Sequence, residues 1–427
     1  MASVLGRDVL VSIISFMLTT FLANSLGPAM FGLWIGIITL LMIFDLLFRL
    51  KIDQLIVFYS KEYPFNSEIY KRIVLLSLYG ILIGGLTALF FNAYIIEFFR
   101  LDGTWLLGLI FLVFSASVFG NIAFYIFLAE ENYSAYNISI LSQSLTSAVL
   151  IFTLFYLFES SIYLALLSQL ASWVVVFLFY GLHRLQMRKT DETIFVEANK
   201  VCSRDILVKG SYIYTSSAVK AMSDQLPRLF AISFLGSVFV GYLGLAQIII
   251  GLINRVPLAI NTVLYPMLVK ESTDELTKTL TIIRVMLVLF LPIVLLLEIF
   301  IPFLIDIFYG DNFALVALYV RILLPFVYFG LPGIILGSYF SSQGKFNILV
   351  TINLVAVLVS CLILGSMTFI SMEYAPIAAL SATFITITVL TMAYIYKSSP
   401  RLEVLPTKED VLIIFRFVGL FWRKWKV

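Results

Sequence analysis

Lys220, Asp224 and Arg228 stand four residues apart in a stretch that is otherwise apolar. On a helix that spacing puts all three on one face, where they can pair along it. The flanks 210–219 and 229–241 carry no charged side chain. Three ionised groups near the centre of a membrane helix cost roughly 9 kcal/mol together on the insertion scale, so such a face must look at protein or at a water-filled cavity. Arg255, Arg321 and Glu298 lie within or at the edge of later apolar runs, and Asp45 lies in an earlier one. Cations then outnumber carboxylates in the membrane interior. A cavity with surplus positive charge suits an anionic substrate, and arginine suits phosphate through its planar fork. The plainer reading has these groups neutralising one another in a packed bundle. For Asp45 that reading is a helix end with its own ion pairs, because Arg49 and Asp53 follow at the same spacing of four.

Other chemistry is poorly provided for. A single histidine, His183, excludes triads and clustered imidazole sites, and Cys202 and Cys361 make no disulfide framework or metal pattern. Gly337 to Lys345, GSYFSSQGK, fails as a phosphate loop, since six residues separate its glycines and Phe346 stands where Ser or Thr is needed. No loop is large enough for an enzymatic domain. The expectation is a protein that is not an enzyme, with no catalytic residues, no metal and no cofactor.

The elements that position these charges follow from hydropathy. The chain has 427 residues, 61% hydrophobic and 12% charged, with a mean hydropathy of +1.05. This is a polytopic membrane protein. Twelve apolar runs reach the length needed to span, approximately 10–26, 30–48, 73–92, 105–127, 138–158, 162–182, 210–234, 240–266, 282–303, 314–338, 348–369 and 376–396. Basic residues fall on alternate loops: Arg49, Lys51, Lys61, Lys71 and Arg72 on one, Arg184, Arg188, Lys189, Lys200, Arg204 and Lys209 on another, while the opposite set holds Arg100 alone. The positive-inside rule then places both termini in the cytoplasm. The net charge of +3 follows from this topology and gives no ground for a nucleic-acid partner.

The two halves repeat. Leu26-Gly27-Pro28 and Gly32-Leu33 align with Leu235-Gly236-Ser237 and Gly241-Tyr242 at an offset of 209, and Lys61-Glu62 aligns with Lys270-Glu271 and Asp102 with Asp311 at the same offset. With six spans per half the repeat is parallel, about an axis along the membrane normal. The expected fold is therefore all-α, with twelve transmembrane helices in two six-helix bundles related by a parallel pseudo-two-fold: 1–205, 206–400, then an interfacial tail at 401–427. The counterpart of Lys220 to Arg228 is Val11 to Thr19, which carries no charge. The cavity charge is expected on the second half.

Leu26-Gly27-Pro28, its echo Leu235-Gly236, Tyr265-Pro266, Phe308-Tyr309-Gly310-Asp311-Asn312-Phe313 and Gln343-Gly344-Lys345 together resemble the polysaccharide-biosynthesis flippases. These are the O-antigen and capsule repeat-unit translocases within the superfamily of multidrug, oligosaccharidyl-lipid and polysaccharide exporters. The resemblance implies alternating access in the bacterial inner (cytoplasmic) membrane, with an oligosaccharide on undecaprenyl pyrophosphate turned from the inner to the outer leaflet for O-antigen and lipopolysaccharide synthesis. Lys220, Arg228, Arg255 and Arg321 would then bind pyrophosphate. Asp224, and after it Asp45, would serve coupling to an H+ or Na+ counter-ion. Membrane lipids and a polysaccharide polymerase complex are the implied partners. Two rivals are a cation-coupled multidrug exporter, disfavoured by the surplus of Arg and Lys, and an integral-membrane polymerase, disfavoured by the short outer loops.

Overall fold

A computed structural model describes residues 2–49, 51, 53, 55–59, 68–187, 203–270 and 275–398. Among them the chain forms thirteen α-helices and no strand. In order they are α1 (Ala2–Phe44), α2 (Leu55–Tyr59), α3 (Glu68–Phe90), α4 (Asn92–Phe99), α5 (Thr104–Ala129), α6 (Tyr133–Leu157), α7 (Ile162–Met187), α8 (Ser203–Phe234), α9 (Ser237–Lys270), α10 (Glu275–Tyr309), α11 (Ala314–Ser342), α12 (Phe346–Met367) and α13 (Ala375–Ser398). The tail expected at 401–427 lies outside the described residues.

Ten of the described helices are long and apolar enough to cross a membrane. Two further spans come from particulars of the sequence. α1 is two arms, broken where Gly27 takes φ 70° and ψ 170° ahead of Pro28. That backbone region is open to glycine and closed to most other residues. α8 is 32 residues long, long enough to span at about 1.5 Å per residue, but its charges dilute its hydropathy. The chain is thus a multi-pass, all-helical integral membrane protein. α10, at 35 residues, exceeds what a core of about 30 Å requires. The expected outer loop after span three is instead α4, which starts after the break at Phe91 and ends at Arg100 in the left-handed region (φ 54°).

The helices cluster into two compact units, one of Met1–Ala218 with Ile232–Gly241, the other of Val219–Ala231 with Tyr242–Val427. In the first, α6 and α5 pack on α7 and the arms of α1 on α6. Phe44 and Phe114 sit edge to face at 5.7 Å in a core that also buries Phe31, Ile37 and Phe127. Trp105 and Tyr156 stand almost wholly exposed at helix ends, where amphipathic rings meet the membrane interface. Asn132, in a glycosylation-like Asn-Tyr-Ser, is the N-cap of α6, its Oδ1 accepting from the Ala135 amide at 3.0 Å.

The first unit also contains the repeat's most direct structural expression. A Cβ on Gly32 would stand 1.6 Å from the Ser237 carbonyl oxygen, and a Cβ on Gly241 would stand 2.6 Å from the Pro28 carbonyl oxygen. Gly32 matches Gly241 in the repeat, and Pro28 matches Ser237. The contact is reciprocal, the signature of a local two-fold. Two helix backbones touch where only glycine allows it.

In the second unit, α11 packs between α10 and α13, and α12 packs on α13, around a core of Leu280, Ile283, Met286, Phe290, Leu331, Ile335 and Phe340. Thr388 and Ile387 of α13 press against Gly333 of α11.

Candidate functional site

The polar interior is built on α8. Its residues Leu226 and Phe230 pack against Leu364, Ala375 and Ala379 of α12 and α13. At about 100° per residue, positions 224 and 228 point to the opposite side from 226 and 230. The apolar anchor therefore turns the charged face away from the unit's core. Lys220 and Asp224 are exposed and Arg228 is half-buried. Pro227 removes the amide that would bond the Ser223 carbonyl, which leaves a bare acceptor beside Asp224. The Ser223 hydroxyl turns back onto the Val219 carbonyl at 3.4 Å.

Arg228 Nε donates to Gln247 Oε1 of α9. Counting from that bond, Gly251 and Arg255 follow on α9 at spacings of four, about 6 and 12 Å along the helix. Gly251 and Arg255 are both exposed. Asp224 and Lys220 lie at the same intervals back along α8. Lys220, Asp224 and Arg255 make no ion pair among the described residues. The spacing of four on α8 was visible in the sequence; the part played by Gln247 was not. Its only sequence signal is an amide inside an apolar run, placed four residues before Gly251 and eight before Arg255.

Arg321 is engaged elsewhere. Its Nε donates to Glu298 Oε1 at 2.9 Å, joining α11 to α10. The repeat counterparts of Glu298 and Arg321 are Leu89 and Leu112, both exposed, at 70% and 54%. One half thus carries an ion pair where the other carries two leucines. Removing Arg321 alone leaves the Glu298 carboxylate without its partner, at a cost of about 1 kcal/mol for a pair this exposed, whereas Glu298→Leu with Arg321→Leu reproduces the other half. The single change is expected to lower the thermal midpoint of the purified protein, and the double change to restore it, in a melting series on the three variants.

Asp45 also has a partner. Arg49 Nη1 donates to Asp45 Oδ1 at 2.6 Å, and its Nη2 and Nε donate to Asp53 Oδ2 at 2.6 and 2.9 Å. Asp45 and Arg49 form a π-helical turn, Asp45–Arg49, that closes the second arm of α1. Asp53 is completely buried and Asp45 keeps 30% of its side chain exposed. Burial pushes the Asp53 carboxyl above its ordinary range, against the downward pull of Arg49.

A cavity of about 670 Å³ in the first unit is lined by Phe21, Phe152, Phe155 and Tyr156 with Ser25, Thr153 and Ser160. It carries no charged group and does not include any residue of the polar face. Among the described residues no group of His, Cys, Asp and Glu could hold a metal ion.

Solved structures share this fold. An inward-facing multidrug resistance MATE family transporter of the MOP superfamily matches with a TM-score of 0.67 and 17% identity, over 91% of this chain and 94% of that one. Lipid II flippase MurJ, in an inward closed conformation, matches at 0.69 and 14% identity, over 95% and 89%. A mutant of the Vibrio cholerae MATE transporter VcmN matches at 0.64 and 14%, over 92% and 94%. No curated protein matches the chain by sequence. The family model described as "Polysaccharide biosynthesis protein" matches residues 2–272. By that match, over more than half its length, the chain is a member of the polysaccharide biosynthesis protein family.

Proposed function

We propose that this protein is a flippase, not an enzyme, that moves an undecaprenyl-pyrophosphate-linked oligosaccharide from the inner to the outer leaflet of the bacterial cytoplasmic membrane. The observation that carries the reading is the net positive face of Lys220 and Arg228 on α8 and Arg255 on α9, with Asp224 as its only carboxylate and Gln247 bonded to Arg228. Ionised side chains at this depth are costly unless they serve a polar ligand. Membership of a polysaccharide-biosynthesis family supports a saccharide cargo, which we read as a sugar carried on a phosphorylated lipid. Lys220, Arg228 and Arg255 hold the pyrophosphate, Gln247 fixes the guanidinium of Arg228, and Asp224 keeps the empty face from carrying three uncompensated cations.

Alternating access by two six-helix bundles, divided near residue 205 and related by the parallel repeat, completes the proposal. Both termini then lie in the cytoplasm. Arg321 is left out of the pyrophosphate site because Glu298 already satisfies it. A multidrug exporter would require a cavity dominated by carboxylates and aromatics, which the α8–α9 face is not.

The test is a deletion strain examined for its lipid-linked sugar units. Units should accumulate on the inner leaflet, with mature polymer lost and both restored by the cloned gene. Normal polymer in the deletion strain would sink the reading.

A further inference from the structure

We propose that the Asp45–Arg49–Asp53 cluster is a proton-binding site of the transport cycle, with Asp53 Oδ1 taking the proton. The inference rests on the flippase reading and names where its coupling ion sits. Fully ionised, two carboxylates and one guanidinium carry a net charge of −1 in a largely buried place. Asp53 Oδ2 accepts two bonds from Arg49, while Asp53 Oδ1 is buried and has no hydrogen-bond partner among the described residues. A buried carboxylate oxygen without a donor is costly. A proton on Oδ1 removes that cost, leaves Oδ2 free to accept from Arg49, and makes the cluster neutral as Asp45 carboxylate, Arg49 guanidinium and Asp53 carboxylic acid. Asp45, the partly exposed member, connects the cluster to water.

Burial pushes the Asp53 carboxyl up, with Asp45 adding to the push, against the downward pull of Arg49 and of a backbone N–H. Lys51, half-buried, stands on the same stretch between Arg49 and Asp53. Of the elements packed against the turn, α5 carries Tyr125 and no charged residue, α3 carries Tyr70 and Tyr79 with Glu68, Lys71 and Arg72 in its first turns, and α1 carries Arg7 and Asp8 near its start. Arg7 is held by Asp8 and Asn137.

The turn is also placed to transmit the change. π-Helical turns recur at functional sites, and here a Cβ on Gly80 of α3 would stand 2.1 Å from the Phe48 carbonyl oxygen. α3 therefore rides directly on the backbone between Asp45 and Asp53. A proton on Oδ1 leaves the bonds from Arg49 in place but takes the charge from their acceptor, which weakens them at the seat of α3.

Two readouts on the purified full-length protein test this. The first is infrared titration of carboxylic-acid absorption. Wild type should show a band that disappears as pH rises and is missing in Asp53→Asn. In Asp45→Asn the band should persist but titrate at lower pH, because a neighbouring negative charge has gone; this variant decides the matter if Asp53→Asn does not fold. A band unchanged in Asp53→Asn, or unmoved in Asp45→Asn, overturns the proposal whether or not the protein transports.

The second is flipping of lipid-linked oligosaccharide in proteoliposomes under a pH gradient. Wild type should shift the ratio between leaflets about tenfold per pH unit for one coupled proton, and Asp53→Asn should flip without responding. Flipping by wild type that ignores the gradient overturns the proton site and leaves the flippase intact. No flipping by wild type overturns the flippase reading, and the infrared band then decides alone whether the cluster binds a proton.

Discussion

Gly32→Ala should abolish transport and sharply reduce the yield of folded protein. The added carbon would stand 1.6 Å from the Ser237 carbonyl oxygen, 2.5 Å from the Ser237 carbonyl carbon and 2.9 Å from the Gly241 amide nitrogen. Every one of these is backbone, so no side chain can swing aside. Overpacking a core that can partly adjust costs about 1–3 kcal/mol, and this crossing has less room to adjust than most. The reciprocal change, Gly241→Ala, meets the Pro28 carbonyl oxygen at 2.6 Å and should be milder but of the same kind. Gly36→Ala is the control. It lies one turn further along the same arm, and its nearest neighbours, side-chain atoms of Ile232 and Phe99, are 4.0 Å away. Membrane yield by immunoblot and complementation of the deletion strain should rank the variants Gly32, Gly241, Gly36 from most to least damaged. Equal behaviour of Gly32→Ala and Gly36→Ala would contradict the crossing.

Arg228→Ala should reduce transport by about 10- to 150-fold, the equivalent of the roughly 1.5–3 kcal/mol carried by a hydrogen bond to a charged group. Two losses combine in it. The proposed pyrophosphate site loses its only arginine on α8, and the Gln247 amide oxygen loses its donor. Arg228→Lys keeps the charge but not the planar fork, so it should recover part of the activity. Gln247→Ala should cost less than Arg228→Ala, since it loosens the guanidinium without removing it. Flipping rates in proteoliposomes, normalised to folded protein by size-exclusion chromatography, separate these effects from instability. Full activity in Arg228→Ala would remove the α8 face from the binding site.

The polar interior was half legible in advance. The spacing of Lys220, Asp224 and Arg228 is a local property of one helix, and so is the spacing of Asp45, Arg49 and Asp53; both could be placed on common faces from sequence alone. What the second group does with that spacing was not legible. Arg49 reaches both neighbouring carboxylates at 2.6 Å, which leaves Asp53 sealed with one oxygen unsatisfied. Burial depends on α3 and α5, which arrive from later in the chain. Arg321 and Glu298 were counted with the other intramembrane charges. Their pairing joins two helices across 23 residues of sequence, and no periodicity reports a partner on another helix.

The spans themselves were readable because a bilayer imposes a one-dimensional rule. Each crossing must be apolar for about 20 residues, and lipid offers no partner to an open backbone. The repeat was readable because offsets survive in sequence even when contacts do not. It marked Gly32 and Gly241 as equivalent positions, yet gave no reason to expect them to touch. That was decided by tertiary structure, where helix backbones came close enough to exclude every side chain. The sequence by itself determined a membrane-embedded chain with a positive face on its seventh span. Only the tertiary structure decided which charges find a partner on another helix, as Arg321 finds Glu298, because satisfaction is a matter of distance between helices and not of order along one.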